Sequence, residues 1–89
     1  MKNCRCRVKG RVQGVWFRRY TQQVANELGI GGYVRNLPDG SVEVVASVPD
    51  EVWEEFLAAL RKGPPLARVD EIDIEPIEQE FSPPFEVVK

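Results

Sequence analysis

The stretch CRCRVKGRVQGVWFRRYTQQVANELG, residues 4–29, changes its apolar rhythm half-way along. From residue 4 to 12 it alternates, with Cys4, Cys6 and Val8 on one side and Arg5, Arg7, Lys9 and Arg11 on the other, the period-two pattern of a strand with one buried face. Beyond a loop containing two glycines, Phe17, Tyr20, Val24 and Leu28 recur at helical spacing, Ala25 joins the same face, and Gly29 supplies a C-terminal stop. A strand that runs through a short loop into an amphipathic helix opens a strand–helix–strand unit.

The remainder completes the unit and repeats it. A strand over residues 32–36 leads to LPDG at 37–40, where proline, aspartate and glycine in succession suit a tight type I turn, and so to a hairpin. In the returning strand, residues 41–48, Val42, Val44, Ala46 and Val48 alternate with Glu43, Val45 and Ser47, which predicts a wetter second face. Pro49 suits a first helical position, Asp50 and Glu51 suit the positive end of a helix, and Val52, Trp53, Phe56, Leu57 and Leu60 form an apolar stripe ending near Gly63. After the GPPLAR loop, Ile72 and Ile74 alternate with Glu71, Asp73 and Glu75 in a fourth strand, and a short strand over 85–88 follows the SPP break.

The order βαββαβ with an added short strand predicts an α+β fold, the ferredoxin-like sandwich: a mostly antiparallel sheet with two helices on one face, residues 1–89 forming one domain. In that topology the first strand lies between the third and fourth. Arg5, Arg7 and Lys9 then stand beside Glu71, Asp73 and Glu75 on the open face, where cross-strand ion pairs are worth only about 0.2–1 kcal/mol each. Those charge runs therefore read as a solvated, self-paired surface.

Composition narrows the function. With 89 residues, 43% apolar and 29% charged, there is room for one small core. The net charge of −2 gives no whole-molecule attraction for a polyanion, so any anion site must be local. Cys4 and Cys6, two apart on a strand, are poorly spaced for a mutual disulfide and read as buried thiols; a metal site would need further ligands, and the chain has no histidine and no third cysteine. Cysteine usage and the absence of a secretory or membrane-spanning apolar run predict a cytoplasmic protein.

The loop between strand and helix carries the chemistry. Gly10 and Gly14 permit backbone conformations closed to other residues, so that successive N–H groups converge ahead of the helix, while Arg18 adds a guanidinium able to grip two phosphate oxygens. This describes an anion cradle. On glycine spacing alone, an ordinary strand-to-helix turn with an exposed arginine is the plainer reading, and Asn36 by itself is a turn residue beside LPDG. The loop lacks the terminal Lys-Ser/Thr of a nucleotide-binding P-loop.

VKGRVQGVWFR (8–18) and GYVRNLPDGSV (32–42) together resemble the two signature segments of the acylphosphatase family, in order and at the expected separation, and GPPLARV (63–69) is also similar. The likeness extends over essentially all of the chain. It implies hydrolysis of acyl phosphates to carboxylate and inorganic phosphate, with Arg18 and Asn36 as catalytic residues and the backbone amides of Gln13, Gly14, Val15, Trp16, Phe17 and Arg18 holding the phosphoryl oxygens. It implies no metal and no cofactor, a small-molecule acyl phosphate as substrate, inorganic phosphate as product, no nucleic-acid or membrane partner, and a monomer. The chain departs from the family pattern at Leu37, a hydroxyl residue in some relatives, at Val48, often glycine, and at Lys89, often aromatic.

Such a reaction suits a chain without histidine. The leaving carboxylate has a conjugate acid of pKa near about 4 and departs unprotonated, so positioning and charge stabilisation supply the catalysis. RNA-binding modules share the fold but stack bases on rings of the open sheet face. Here that face carries Arg5, Arg7, Lys9, Glu43, Val45 and Ser47, with no ring among them. A phosphate-binding module without turnover is the other alternative, against which the presence of both Arg18 and Asn36 argues.

Overall fold

Alternation in residues 2–11 builds the strand from which the rest hangs. In the computed structural model, which describes residues 1–89, β1 (Lys2–Arg11) buries Cys4, Cys6 and Val8 and turns Arg5 and Arg7 outward. It is followed by α1 (Phe17–Glu27), β2 (Gly31–Asn36), β3 (Val42–Val48), α2 (Trp53–Lys62), β4 (Arg68–Pro76) and β5 (Phe85–Val87). The sheet order is β4-β1-β3-β2-β5, antiparallel except for β2 with β5, so β1 lies between β3 and β4 as the sequence predicts. This is the ferredoxin-like α+β sandwich with a short extra strand.

One face of the sheet meets both helices. Val8, Val34, Val42 and Val44 pack there with Phe17 and Ala25 of α1 and Phe56 and Leu60 of α2. The largest fully buried side chains are Phe17, Phe56, Phe85, Ile30 and Leu60, each contributing about 1.5–3 kcal/mol by removal from water. The Tyr20 hydroxyl donates to the Ala59 carbonyl (2.8 Å) and ties the helices together. Cys4 and Cys6 are free, buried thiols with Sγ atoms 3.9 Å apart. Sharing a hydrogen with Cys4, together with burial, pushes the Cys6 thiol far up.

The register sets Arg5 opposite Glu75, Arg7 opposite Asp73 and Lys9 opposite Glu71. Arg5 pairs with Glu75 at 2.8 Å, but Lys9 reaches diagonally to Asp73 at 2.9 Å, a step within reach of a long side chain.

Four details depart from the sequence expectation. The outer face of β3 is not wet: Val45 and Ser47 are 2% and 1% exposed, because the segment after β4 folds back across it. There the Ile77 N–H bonds the Asn3 carbonyl, the Phe81 N–H bonds Ser47 Oγ (2.7 Å), and the Phe81 ring meets Tyr33 edge-on at 5.8 Å. Pro49 does not open α2; it precedes a single 3₁₀ turn, Asp50–Val52, and the α-helix begins at Trp53. The fourth strand starts at Arg68, earlier than the isoleucine alternation suggests. Gly10 belongs to β1 rather than the loop, where β4 carries one extra residue and any Cβ on Gly10 (φ 135°) would strike the Arg68 carbonyl.

No helix is long and apolar enough to cross a membrane.

Candidate active site

Between β1 and α1 the chain passes through residues 12–16 without regular structure. Two residues there have left-handed backbones, Gly14 at φ 74° and Trp16 at φ 68°. Val12 and Val15 anchor the loop from below, at 1% and 3% exposure. Only Val12 and Val15 are drawn inward, Trp16 standing in solvent, and no acceptor in the protein meets the N–H groups of Gln13, Gly14, Val15 or Trp16. Helix α1 continues the series: Trp16 is its N-cap, no side chain caps it, and its first turn contains no acid. The first bond at that end is Tyr20 N–H to the Trp16 carbonyl, 3.0 Å. Helix polarity therefore adds partial positive charge at the place where the loop amides are free.

A cleft of about 450 Å³ opens over this point, lined by Val12, Gly14, Trp16, Phe17, Arg18, Arg19, Gln22, Asn36 and Val87. Four of the predicted loop residues, Gly14, Trp16, Phe17 and Arg18, thus share one cavity with Asn36, 18 positions from Arg18 in the chain. Arg18, half-buried as the second residue of α1, has no carboxylate within salt-bridge distance. Asn36 is the last residue of β2, and its Oδ1 is buried with no hydrogen-bond partner. Buried acceptors are usually satisfied, so one without a partner, on a residue that lines the same cleft as an unpaired guanidinium, is a feature of a site rather than of a core.

Gln13 and Val15, predicted with the other loop residues, are not among the residues that line the cleft. Val15 points into the core, and the Gln13 amide crosses to the β2–β3 hairpin, donating to the carbonyls of Leu37 and Ser41, both at 2.8 Å. The hairpin closes on itself as the sequence predicts, Gly40 N–H bonding Leu37 O (3.1 Å), and Asp39 accepts from the Ser41 N–H and hydroxyl. That pair of donors, the Ser41 hydroxyl above all, holds the Asp39 carboxyl below the usual carboxylate range. Gln13 thereby sets the spacing between the loop and the strand that carries Asn36.

The chain is matched over residues 4–87 by the family model described as Acylphosphatase. It belongs to the acylphosphatase family. Relatives include the acylphosphatase of Rhizorhabdus wittichii, 56% identical over 71 residues (80% of this chain, 72% of that one), and that of Thiobacillus denitrificans, 46% identical over 82 residues (92% of each). The crystal structure of acylphosphatase from Bacillus subtilis superposes with a TM-score of 0.89 at 34% identity, covering 100% of both chains. The activity of this acylphosphatase is the hydrolysis of acyl phosphates.

Sequence reasoning missed three features of the acylphosphatase cleft. Arg19 and Gln22 line it beside Arg18, and a helical wheel centred on Arg18 would have found Gln22 four residues on. Val87 arrives from β5, held against α1 by Asn26, whose Oδ1 accepts the Phe85 N–H at 2.8 Å. No local signal announces that docking. The left-handed backbone of Trp16 was equally hidden, since tryptophan is among the last residues expected there.

Proposed function

We propose that Arg18 and the N–H groups of Gln13, Gly14, Val15, Trp16, Phe17 and Arg18 hold the phosphoryl group of the acyl phosphate, and that Asn36 orients the water that attacks it. The observation that carries this reading is the meeting, in one cleft, of two loop residues with unpartnered amides, Gly14 and Trp16, a guanidinium without a counter-ion and a carboxamide with no hydrogen bond to the protein.

The guanidinium fork matches two phosphoryl oxygens and follows their charge through a loose transition state. The water oxygen bonds to phosphorus as the bridging P–O bond breaks, and the electron pair leaves with the carboxylate. A proton of the water passes to the phosphate product. The carboxamide offers a donor and an acceptor but no basicity at neutral pH, so the role of Asn36 is geometric. The enzyme acts on small molecules as a monomer in the cytoplasm, a setting in keeping with its two free thiols.

The test is steady-state phosphate release with inorganic phosphate as inhibitor. Arg18→Lys keeps the charge and forfeits the fork, so most of kcat and much of the phosphate affinity should go, with the circular dichroism unchanged. Asn36→Ala should lower kcat about a hundredfold while the inhibition constant for phosphate stays near wild type. Near-normal turnover of either variant removes that residue from the mechanism.

A further inference from the structure

Trp16 occupies a position that suits it badly as a structural residue. Its φ of 68° is relaxed for glycine and strained for a bulky side chain. Burial does not offset the strain, because Trp16 is 72% exposed. The second tryptophan behaves differently: Trp53 is half-buried, packs against the core, and has the Lys2 ammonium 5.7 Å over its ring. A strained, solvent-facing indole that adds little to the core is explained by something it meets from outside.

Its surroundings indicate what that is. Trp16 lines the cleft that holds Arg18 and Asn36, and also an adjoining groove of about 480 Å³ whose other walls are Arg19, Tyr20, Gln23 and Pro64. With Arg19, which also lines both, it forms the ridge between the two. The acyl substituent of a phosphoryl group held by Arg18 and the loop amides has to leave the cradle through the mouth of the cleft, which Trp16 borders. Trp16 is the only exposed large aromatic side chain there, and a flat apolar surface of this kind favours a flat apolar partner.

We propose that Trp16 is a specificity-determining residue whose indole packs on the acyl group, so that the enzyme prefers acyl phosphates with an aromatic or broad apolar acyl group to those with a short one. This rests on the reading that the loop and Arg18 hold the phosphoryl end. The occupant is the substrate's own acyl group, because the ridge is continuous with the cleft in which the reaction takes place.

The test compares kcat/KM for benzoyl phosphate and acetyl phosphate in wild type, Trp16→Gly and Trp16→Phe. Glycine accepts the left-handed backbone, so the first variant keeps the loop conformation. Ring stacking is worth a factor of about two to ten, and the benzoyl-to-acetyl ratio should fall by that factor in Trp16→Gly and largely return in Trp16→Phe. In wild type, benzylphosphonate should inhibit competitively and about two to ten times more tightly than methylphosphonate, a measurement that needs no variant. A ratio unmoved by Trp16→Gly, or no benzyl preference in wild type, overturns the proposal while leaving the phosphoryl cradle intact. Failure of inorganic phosphate to compete with acetyl phosphate in wild type overturns the cradle, and the role of Trp16 with it.

Discussion

Replacing Gln13 by methionine removes two hydrogen bonds and little else, because methionine keeps a straight side chain of similar length that packs in irregular gaps. Both bonds are short, 2.8 Å to Leu37 O and 2.8 Å to Ser41 O, and both join the loop to the hairpin that follows Asn36. Neither carbonyl is orphaned by the change, since Leu37 O keeps the Gly40 N–H at 3.1 Å and Ser41 O keeps the Leu37 N–H at 2.9 Å. The loss is therefore that of net hydrogen bonds, at about 0.5–1.5 kcal/mol each, without the full penalty of a bare acceptor. Two such bonds place the total at about 1–3 kcal/mol. For a domain of this size that lowers the melting temperature by roughly 4–24 °C.

The catalytic consequence should be larger than the thermodynamic one. The same two bonds fix how far the loop amides stand from Asn36, and a displacement of about 1 Å between reacting partners costs on the order of a hundredfold in rate. Gln13→Met should accordingly lower kcat by about ten- to a hundredfold at temperatures where it is fully folded. Phosphate should still bind nearly as well, because the cradle itself is retained. Guanidinium denaturation, phosphate release and phosphate inhibition on one preparation decide the matter. An unchanged unfolding midpoint refutes the energetic argument, and a lowered midpoint with intact kcat refutes the positional one.

Other outcomes follow from the charges. The kcat of the parent enzyme should stay nearly flat between about pH 6 and 8, because arginine and asparagine do not titrate there and the chain has no histidine; a steep change at saturating substrate would expose a titrating group absent from this mechanism. Unfolding free energy should be level from about pH 5 to 8 and decline below about pH 4, as read by urea titration. The sign follows from Asp39, Asp70 and Asp73, whose carboxyls are depressed by Ser41, Arg68 and Lys9 respectively: their contribution is present above the unfolded value and is lost as pH falls through the folded one. A decline already evident between pH 6 and 5 would assign the effect to other groups. Raising sodium chloride to near-molar should lower kcat/KM severalfold and leave kcat unchanged, since screening weakens capture of a dianion by Arg18 and Arg19 but not the bound step.

Much of this was legible along the chain where local period and tertiary role coincide. Cys4, Cys6 and Val8 alternate because β1 has one dry face, and Phe17 and Ala25 fall at helical spacing because α1 lies on that face, so both elements and their order could be read directly. What was not legible depends on contacts distant in sequence. Val45 and Ser47 read as outward and are outward, yet they are dry because residues 77–81 return over them, and no periodicity in that segment foretells the return. Gly10 announced backbone freedom without saying where it is used; the close approach of β4 claims it, and Gly14 and Trp16 shape the loop instead. Arg18 and Asn36 were recoverable as a pair only through the two motifs, whereas the bridge by the Gln13 side chain needs the folded register to be seen at all.

The distribution of charge explains how a chain of net charge −2 presents a cationic cleft to a dianion. No acid precedes Glu27, so β1, the loop and the start of α1 are wholly basic in sequence. Folding then neutralises one part of that stretch and spares the other. Arg5 meets Glu43 at 3.2 Å and Glu75 at 2.8 Å, Arg35 shares Glu43 at 2.7 Å, and Lys9 meets Asp73, all on the face away from the helices. The acid on the hairpin nearest the loop, Asp39, is turned onto the N–H and hydroxyl of Ser41 and does not line the cleft. Arg18 and Arg19 are left without a carboxylate partner beside amides that are themselves unpaired, where each additional acid would oppose the substrate's charge at short range. The sheet's ion pairs thus hold Glu43, Asp73 and Glu75 on its outer face, and no carboxylate is among the residues that line the cleft, so the positive charge there faces the phosphoryl group unopposed at short range.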